Sequence, residues 1–408
     1  MRAILTIGIF SLTTYYAGAQ FNPDLFLAAS VSDLELRELQ VSENFLKDHD
    51  FNSPWIREME IRARSNDSEL GLEDYRLRFG LINPGEIKAN KNYKRELGTT
   101  IQLRKEDKIN DILRQRYSLL IEHLYLSEVK SYSEEYLSVL EKLKALIYQN
   151  NGNNLLENAL DTEEEILKLR IDLLGINQKL EITEFLIRER LSFSGDIKID
   201  TSTLVTVDQV SNRISLVSTE NTDLKTALVL QEQKLEESLY NVEKAESWRN
   251  IGFVQAEYDI ERGADAADHL GYQVGVSIPI FKTDRPDLQR DKIDLLQEKA
   301  EEETKLALDK REQQILRMDF DHIINQLNLL RGQFDFIDKF DQIEQQPDVD
   351  LIRKSKDYRR FLIEKKWGLY TLLLDKYIDF LHGHGQLVSR PLVNHLAREL
   401  SPIDQNLN

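Results

Sequence analysis

Three groups of side chains in this sequence have the types and spacing to hold ions. His382 and His384 flank Gly383 and His395 follows, so three imidazoles are on paper available to a transition metal. Zinc sites are closed and buttressed by outer carboxylates, whereas this group is flanked by glycine and short of acidic support, which favours a solvated segment. The run Asp161-Thr-Glu-Glu-Glu165 reads as the exposed face of a helix. Asp338 and Asp341 stand at i and i+3, hence on one face of a long helix near its end, where Asp338 could pair with Lys339 or Arg331 at the surface.

Catalytic constellations are missing. No Gly-rich phosphate loop, nucleophile elbow or His-Glu-x-x-His motif occurs, so the sequence assigns no catalytic, cofactor-binding or metal residue and predicts no enzyme. The lack of Cys removes thiol chemistry, disulfides, thiolate metal sites and a lipid anchor on a processed N-terminal Cys. A formal net charge of -18 has the wrong sign for nucleic acid and favours solubility and cation attraction. With 30% charged residues and only 8 Pro and 17 Gly in 408 residues, the composition suits long solvated helices better than a compact, turn-rich enzyme. No apolar run approaches the roughly 18 to 20 residues of a membrane-spanning helix.

The elements that would carry these residues follow from periodicity. Met1 and Arg2, the apolar Ala3 to Leu12 and the small residues Ala17-Gly-Ala19 predict a signal peptide over residues 1–19, with a mature start at Gln20. A modest amphipathic helix is expected from Ser32 to about Asp50. A β-hairpin follows over about 55–84: Trp55, Met59, Ile61 and Ala63 alternate with charged residues, as do Tyr75, Leu77, Phe79 and Leu81, although Arg57 falls on the apolar side. Helical spacing then runs from Glu86 to Gln149, breaks at Asn150-Asn-Gly-Asn-Asn154 and returns over Leu155–Leu191. A helix of ~60 residues would be about 90 Å long, too long to pack inside one globular domain.

The pattern then recurs. A helix from Thr203 to about Trp248 leads into a second hairpin over about 250–281, and Tyr272, Val274, Val276, Ile278 and Ile280 share one face of its last strand. On pattern alone this hairpin is either the half-buried sheet of a soluble domain or a membrane barrel segment. A long helix from about Pro286 to Gln342, a break at Gln345-Gln-Pro-Asp348 and a returning helix to His382 come next, and the residues after Gly383 are expected to form a loose tail. Gly80-x-x-x-Pro84 and Gly275-x-x-x-Pro279 lie 195 residues apart, as do Trp55 and Asn250, and Asn150 and Gln345. The chain therefore divides into two repeats, 20–202 and 203–388, and a C-terminal tail, 389–408.

This organisation, the signal peptide and the run Gly275-Val-Ser-Ile-Pro-Ile-Phe281 before a long charged helix resemble the TolC-like outer membrane efflux proteins. The resemblance implies a mainly α fold with a small β part, each repeat giving two barrel strands and one long helical hairpin. Three chains would build a twelve-stranded outer membrane β-barrel continued by a periplasmic α-helical barrel. It also implies a homotrimer in contact with outer membrane lipid, a periplasmic adaptor and an inner membrane transporter, acting as a passive exit duct for efflux or type I secretion. The face of Tyr272 would meet lipid, and Asp338 and Asp341 would form an acidic ring at the periplasmic entrance. The glycine-containing tip run usual in these proteins is not recognisable in Asp341 to Arg353. The alternative is a non-catalytic coiled-coil scaffold of the periplasm or cell surface.

Overall fold

The structure, a computed structural model, describes residues 21–49, 55–65, 73–149, 155–191, 193, 195–216, 224–246, 252–258, 270–276, 286–343 and 349–403. The expected signal peptide lies outside these residues, as do both helix-to-helix turns. Element order is α1 (Pro23–Ala28), α2 (Arg37–Asp48), β1 (Ile56–Ser65), β2 (Glu73–Leu81), α3 (Pro84–Gln149), α4 (Leu155–Leu191), α5 (Val207–Leu216) and α6 (Leu224–Glu246). There follow β3 (Gly252–Tyr258), β4 (Leu270–Val276), α7 (Pro286–Ile343) and α8 (Val349–Gly383).

The long helices dominate. α3 has 66 residues and α7 has 58, so α3 alone extends roughly 100 Å. Pro84 sits in the first turn of α3, and the side chain of Asn83 accepts a 2.8 Å hydrogen bond from Gly85 N, satisfying a donor that the helix start leaves free. α3 packs on α4, α6 and α8, while α7 packs on α6 and α8. The apolar core lies about midway along the bundle: Ile112, Leu113, Tyr117, Leu120 and Leu124 of α3 meet Leu373, Leu374, Tyr377 and Phe380 of α8. A smaller cluster of Tyr136, Leu140, Ile166, Leu169 and Leu173 zips α3 to α4 nearer the tips.

The two ends of the chain close this core. Phe26, Leu27 and Leu36 enter it from the N-terminal segment, where the buried Arg116 guanidinium donates to Phe26 O and, at 2.7 Å, to Asp33. Burial works against the charge on Asp33, but the hydrogen bonds from Arg116 and the Glu35 amide outweigh it and hold the carboxyl below its usual range. The expected loose tail is not loose. Leu387, Leu392, Leu396 and Ile403 are buried in the same core, Val205 N donates to Leu396 O at 2.8 Å, and Arg398 N donates to Thr203 O at 2.7 Å. Arg213 of α5 donates to the carbonyls of His395, Ala397 and Arg398, which fixes the segment against α5 and α8.

Two further expectations need correction. The helix foreseen from Thr203 begins only at Val207: a 3-10 turn over Thr201–Thr203 precedes it, and Thr206 and Gln209 cap it reciprocally, Thr206 N donating to Gln209 Oε1 and Gln209 N to Thr206 Oγ1. Beyond Leu216 the chain is next described as α6. At the other end, Ser32 to Leu36 forms 3-10 turns before α2, with Asp33 capping the second.

The strands form one antiparallel sheet in the order β1-β2-β3-β4. Phe253 pairs with Gly275 on one side and with Gly80 on the other, so its ring has a bare row to lie across, and a Cβ at Gly275 would come within 2.3 Å of it. Arg78 caps the same ring at 4.0 Å from its centre.

Two outcomes follow from these contacts. His395 is almost fully buried between the Tyr117 and Tyr377 rings, neither ring nitrogen has a hydrogen-bond partner, and burial followed by the charge of Arg213 pushes its pKa from 6.5 to about 4. A histidine depressed in the folded state leaves stability intact above its unfolded pKa and removes it as pH falls towards the folded one, here on the order of 3 kcal/mol between about 6.5 and 4. Helical melts in detergent at stepped pH should show that loss, and His395→Leu should flatten it. In the sheet, Gly275→Ala should destabilise by about 1 to 3 kcal/mol through overpacking. In a denaturant titration Phe253→Leu in the same chain should restore part of it, while Gly80→Ala, with nothing nearer than 3.5 Å, should be mild.

Candidate functional site

Most cross-strand rows of the sheet are of one chemical kind, the exception being Glu58, Gly80, Phe253 and Gly275. Met59, Phe79, Val254 and Val274 are in line across the four strands, as are Ile61, Leu77, Ala256 and Tyr272, and then Ala63, Tyr75, Tyr258 and Leu270. The alternate rows are Glu60, Arg78, Gln255 and Gln273, then Arg62, Arg76, Glu257 and Gly271. One face is therefore apolar across all four strands and the other is mainly polar and charged, with Phe253 lying in a row of glycines and Arg76 and Glu257 paired at 2.5 Å. The apolar face is also bare: Tyr272 is 85% exposed, Val276 69%, Ile61 67% and Val274 66%. A soluble monomer rarely leaves such a continuous apolar surface uncovered. Ile278 and Ile280, expected on this face, lie outside the described residues.

Arg57 resolves differently from its expectation. The pairing shifts by one residue between Ile56 and Glu58, so Ile56 rather than Trp55 comes opposite Leu81 and continues the apolar face. Arg57 occupies the bulge and reaches Glu86 in the first turn of α3 at 3.4 Å.

At the opposite end of the molecule, Asp338 and Asp341 fall within the last turns of α7, and their side chains lie outside the described set. The acidic run on α4 is exposed in part but neutralised: Glu163 pairs with Lys144, Glu164 with Lys168 at 2.6 Å, and Tyr136 donates to Glu165. Asp161 meets Arg353 at 3.6 Å and Asp172 meets Arg360 at 3.3 Å, across a charged groove of about 450 Å³ between α4 and α8. The three histidines do not converge. His382 bonds Asp111 at 2.8 Å, His384 bonds Phe380 O at 2.9 Å, and His395 is buried in the core. Among the described residues no group of three or more His, Cys, Asp or Glu is placed to hold a metal ion, and no helix is long and apolar enough to cross a membrane.

The sequence reading missed a second apolar face on both outer helices. On α4, Leu160, Leu167, Ile171, Leu174, Ile182 and Phe185 are all more than half exposed, on the side turned away from α3. On α7, Leu308, Ile315, Leu329 and Phe336 are at least half exposed and spaced in multiples of seven. The spacing was present in the sequence, but each helix also buries another face, so the two stripes blur into a nearly uniform pattern.

No protein-family profile matches the sequence, and no curated protein matches it. Solved structures do. The outer membrane channel MtrE of Neisseria gonorrhoeae, in its open state, superposes with a TM-score of 0.61 at 9% identity, over 92% of this chain and 90% of that one. The outer membrane protein VceC of Vibrio cholerae gives 0.62 at 10% identity, over 89% and 96%. The outer membrane channel CmeC of Campylobacter jejuni gives 0.55 at 8% identity, over 92% and 85%. Identities this low carry the architecture and nothing finer, and in architecture the agreement runs almost end to end: the chain has the fold of the TolC-like outer membrane channels.

Proposed function

We propose that this chain is one subunit of a homotrimeric outer membrane channel, the passive exit duct of a tripartite efflux or type I secretion system. The observation that carries the reading is the sheet: four strands, apolar throughout on one face and mainly polar and charged on the other, with β1 and β4 as open edges. In lipid an open edge leaves backbone donors and acceptors without partners, so the strands must continue into another chain. Three copies close twelve strands, with Tyr272, Val274, Val276, Ile278 and Ile280 towards lipid and the charged rows towards an aqueous lumen. The helices continue the conduit into the periplasm, where an adaptor and an inner membrane transporter meet the tips. The two repeats, 20–202 and 203–388, each contribute one barrel hairpin and one helical hairpin. Nothing in the lumen needs to do chemistry, since the pump supplies the energy. A periplasmic scaffold would have no use for so large a bare apolar face.

Fractionation tests the assignment. The protein should be recovered in the outer membrane and run as a trimer in detergent; recovery of the mature chain in the soluble periplasmic fraction overturns the reading. Val274→Arg should block assembly, because a lipid-facing charge costs about 2 to 4 kcal/mol near midplane, whereas Gln273→Arg on the charged face should assemble.

Asp338 and Asp341 are the proposed entrance ring. Three copies would hold six carboxylates close enough to bind cations or raise one another's pKa values. Divalent cations should then reduce single-channel conductance in planar bilayers, and replacing both residues with Ala should remove much of the block without loss of trimer. Unchanged divalent sensitivity would leave the two aspartates as ordinary surface charge.

A further inference from the structure

The rows on the polar face of the sheet differ in how their charges are opposed. In the register of β1 and β2, Glu60 falls opposite Arg78 and Arg64 opposite Asp74, unlike charges in both cases. The row between them is different. There Arg62 falls directly opposite Arg76, an arrangement that costs a sheet stability where unlike charges would add to it. Each arginine is held from its far side instead: Arg62 Nε donates to Glu60 at 2.6 Å along β1, and Arg76 Nε meets Glu257 of β3 at 2.5 Å. No hydrogen bond to the Nη groups of either guanidinium is formed among the described residues. Arg78 stands one row away with its guanidinium over the Phe253 ring, so across these two rows three arginines face two acids, Glu60 and Glu257. In the proposed trimer β1 adjoins β4 of the next copy, whose residues on this face, Gly271, Gln273 and Gly275, bring no carboxylate.

We propose that Arg62 and Arg76 together form an oxyanion site on the wall of the lumen, which takes a phosphate group between their Nη donors. A guanidinium presents its donors as a planar fork that matches the oxygens of an oxyanion, and one anion between two forks relieves their mutual repulsion. A carboxylate has two oxygens in one plane and serves a single fork, whereas a tetrahedral phosphate has oxygens for both. The acids at Nε hold the two forks in place, which lowers the ordering cost of binding. Arg62 is 63% exposed and Arg76 38%, so an anion in water reaches both. Contacts made in water are weak singly, and the expected dissociation constant is on the order of millimolar. The class of solute that would dwell here is therefore one that carries a phosphate group.

This inference rests on the proposed channel, in which the polar face lines the lumen, and a binding measurement separates the two. Inorganic phosphate titrated into the detergent-solubilised trimer in about 0.1 M KCl should show saturable broadening of its phosphorus NMR line, with a Kd of about 1 to 10 mM. Arg62→Gln with Arg76→Gln should weaken that binding roughly ten-fold or more, and the trimer should persist because the change removes a like-charge opposition. Arg62→Lys with Arg76→Lys keeps both charges without the forks and should weaken it about three- to ten-fold. Arg95→Gln with Arg170→Gln removes the same charge from exposed pairs on α3 and α4 and should leave the affinity within about two-fold. A trimer that binds phosphate equally with and without the two sheet arginines overturns the site and leaves the channel reading intact. Undiminished binding by the lysine pair overturns the role of the forks. If the glutamine pair fails to assemble, the lysine pair decides by the same loss. A monomer soluble without detergent overturns the channel reading and the lumen site with it.

Discussion

The free backbone edges of β1 and β4 are the constraint on which the rest of the molecule depends. An antiparallel sheet with one apolar and one charged face can rest only at a boundary between two media, and it can rest there only when its edges are joined to something. In the proposed trimer, copies of the same chain would close these edges, the β3–β4 hairpin of one subunit beside the β1–β2 hairpin of the next.

Much of this was legible in the sequence because two periods alternate cleanly. Val274, Val276 and Tyr272 repeat every second residue, and Ile112, Leu113, Leu120 and Leu124 recur at helical spacing, so strands and helices announce themselves. The offset between Gly80 and Gly275 has a counterpart in the sheet, where both glycines pair with Phe253 and Gly275 lies against its ring. What stayed hidden has no period. The bulge at Arg57 inverts the apparent facing of the residues before it, and only the pairing with Leu81 reveals it. Leu387, Leu392, Leu396 and Ile403 are irregularly spaced among Pro391 and Pro402, so a segment that is buried reads as a tail. The start of α5 could have been read from Thr206 and Gln209, a reciprocal capping pair that the apolar pattern of the following helix obscured.

Charge is handled in two ways along the length of the protein. On the sheet, arginines and acids interleave in cross-strand rows, so the charged face carries both signs. Along the helical hairpins, acids on α4 meet Lys144 of α3 and Arg353 and Arg360 of α8, Arg170 of α4 meets Glu141 of α3, and charge is locally balanced where these helices touch. The facing surfaces of α6 and α7 are less balanced. Glu236 and Glu302 there are held above the usual carboxylate range, by burial first and by neighbouring carboxylates second.

The shared core of the two chain ends bears on how such a protein is made. Asn394 donates to Asp24 across 370 residues of sequence, and Leu396 packs in the cluster that holds Phe26 and Leu27. A chain delivered across a membrane with its N-terminus first presents Phe26 and Leu27 long before their partners arrive. The central core cannot close until nearly the last residue has crossed, and contacts of such separation are slow to find. The first described residues and the last thus share one core, and a chain lacking either end would leave Phe26, Leu27 and Leu396 without part of their packing.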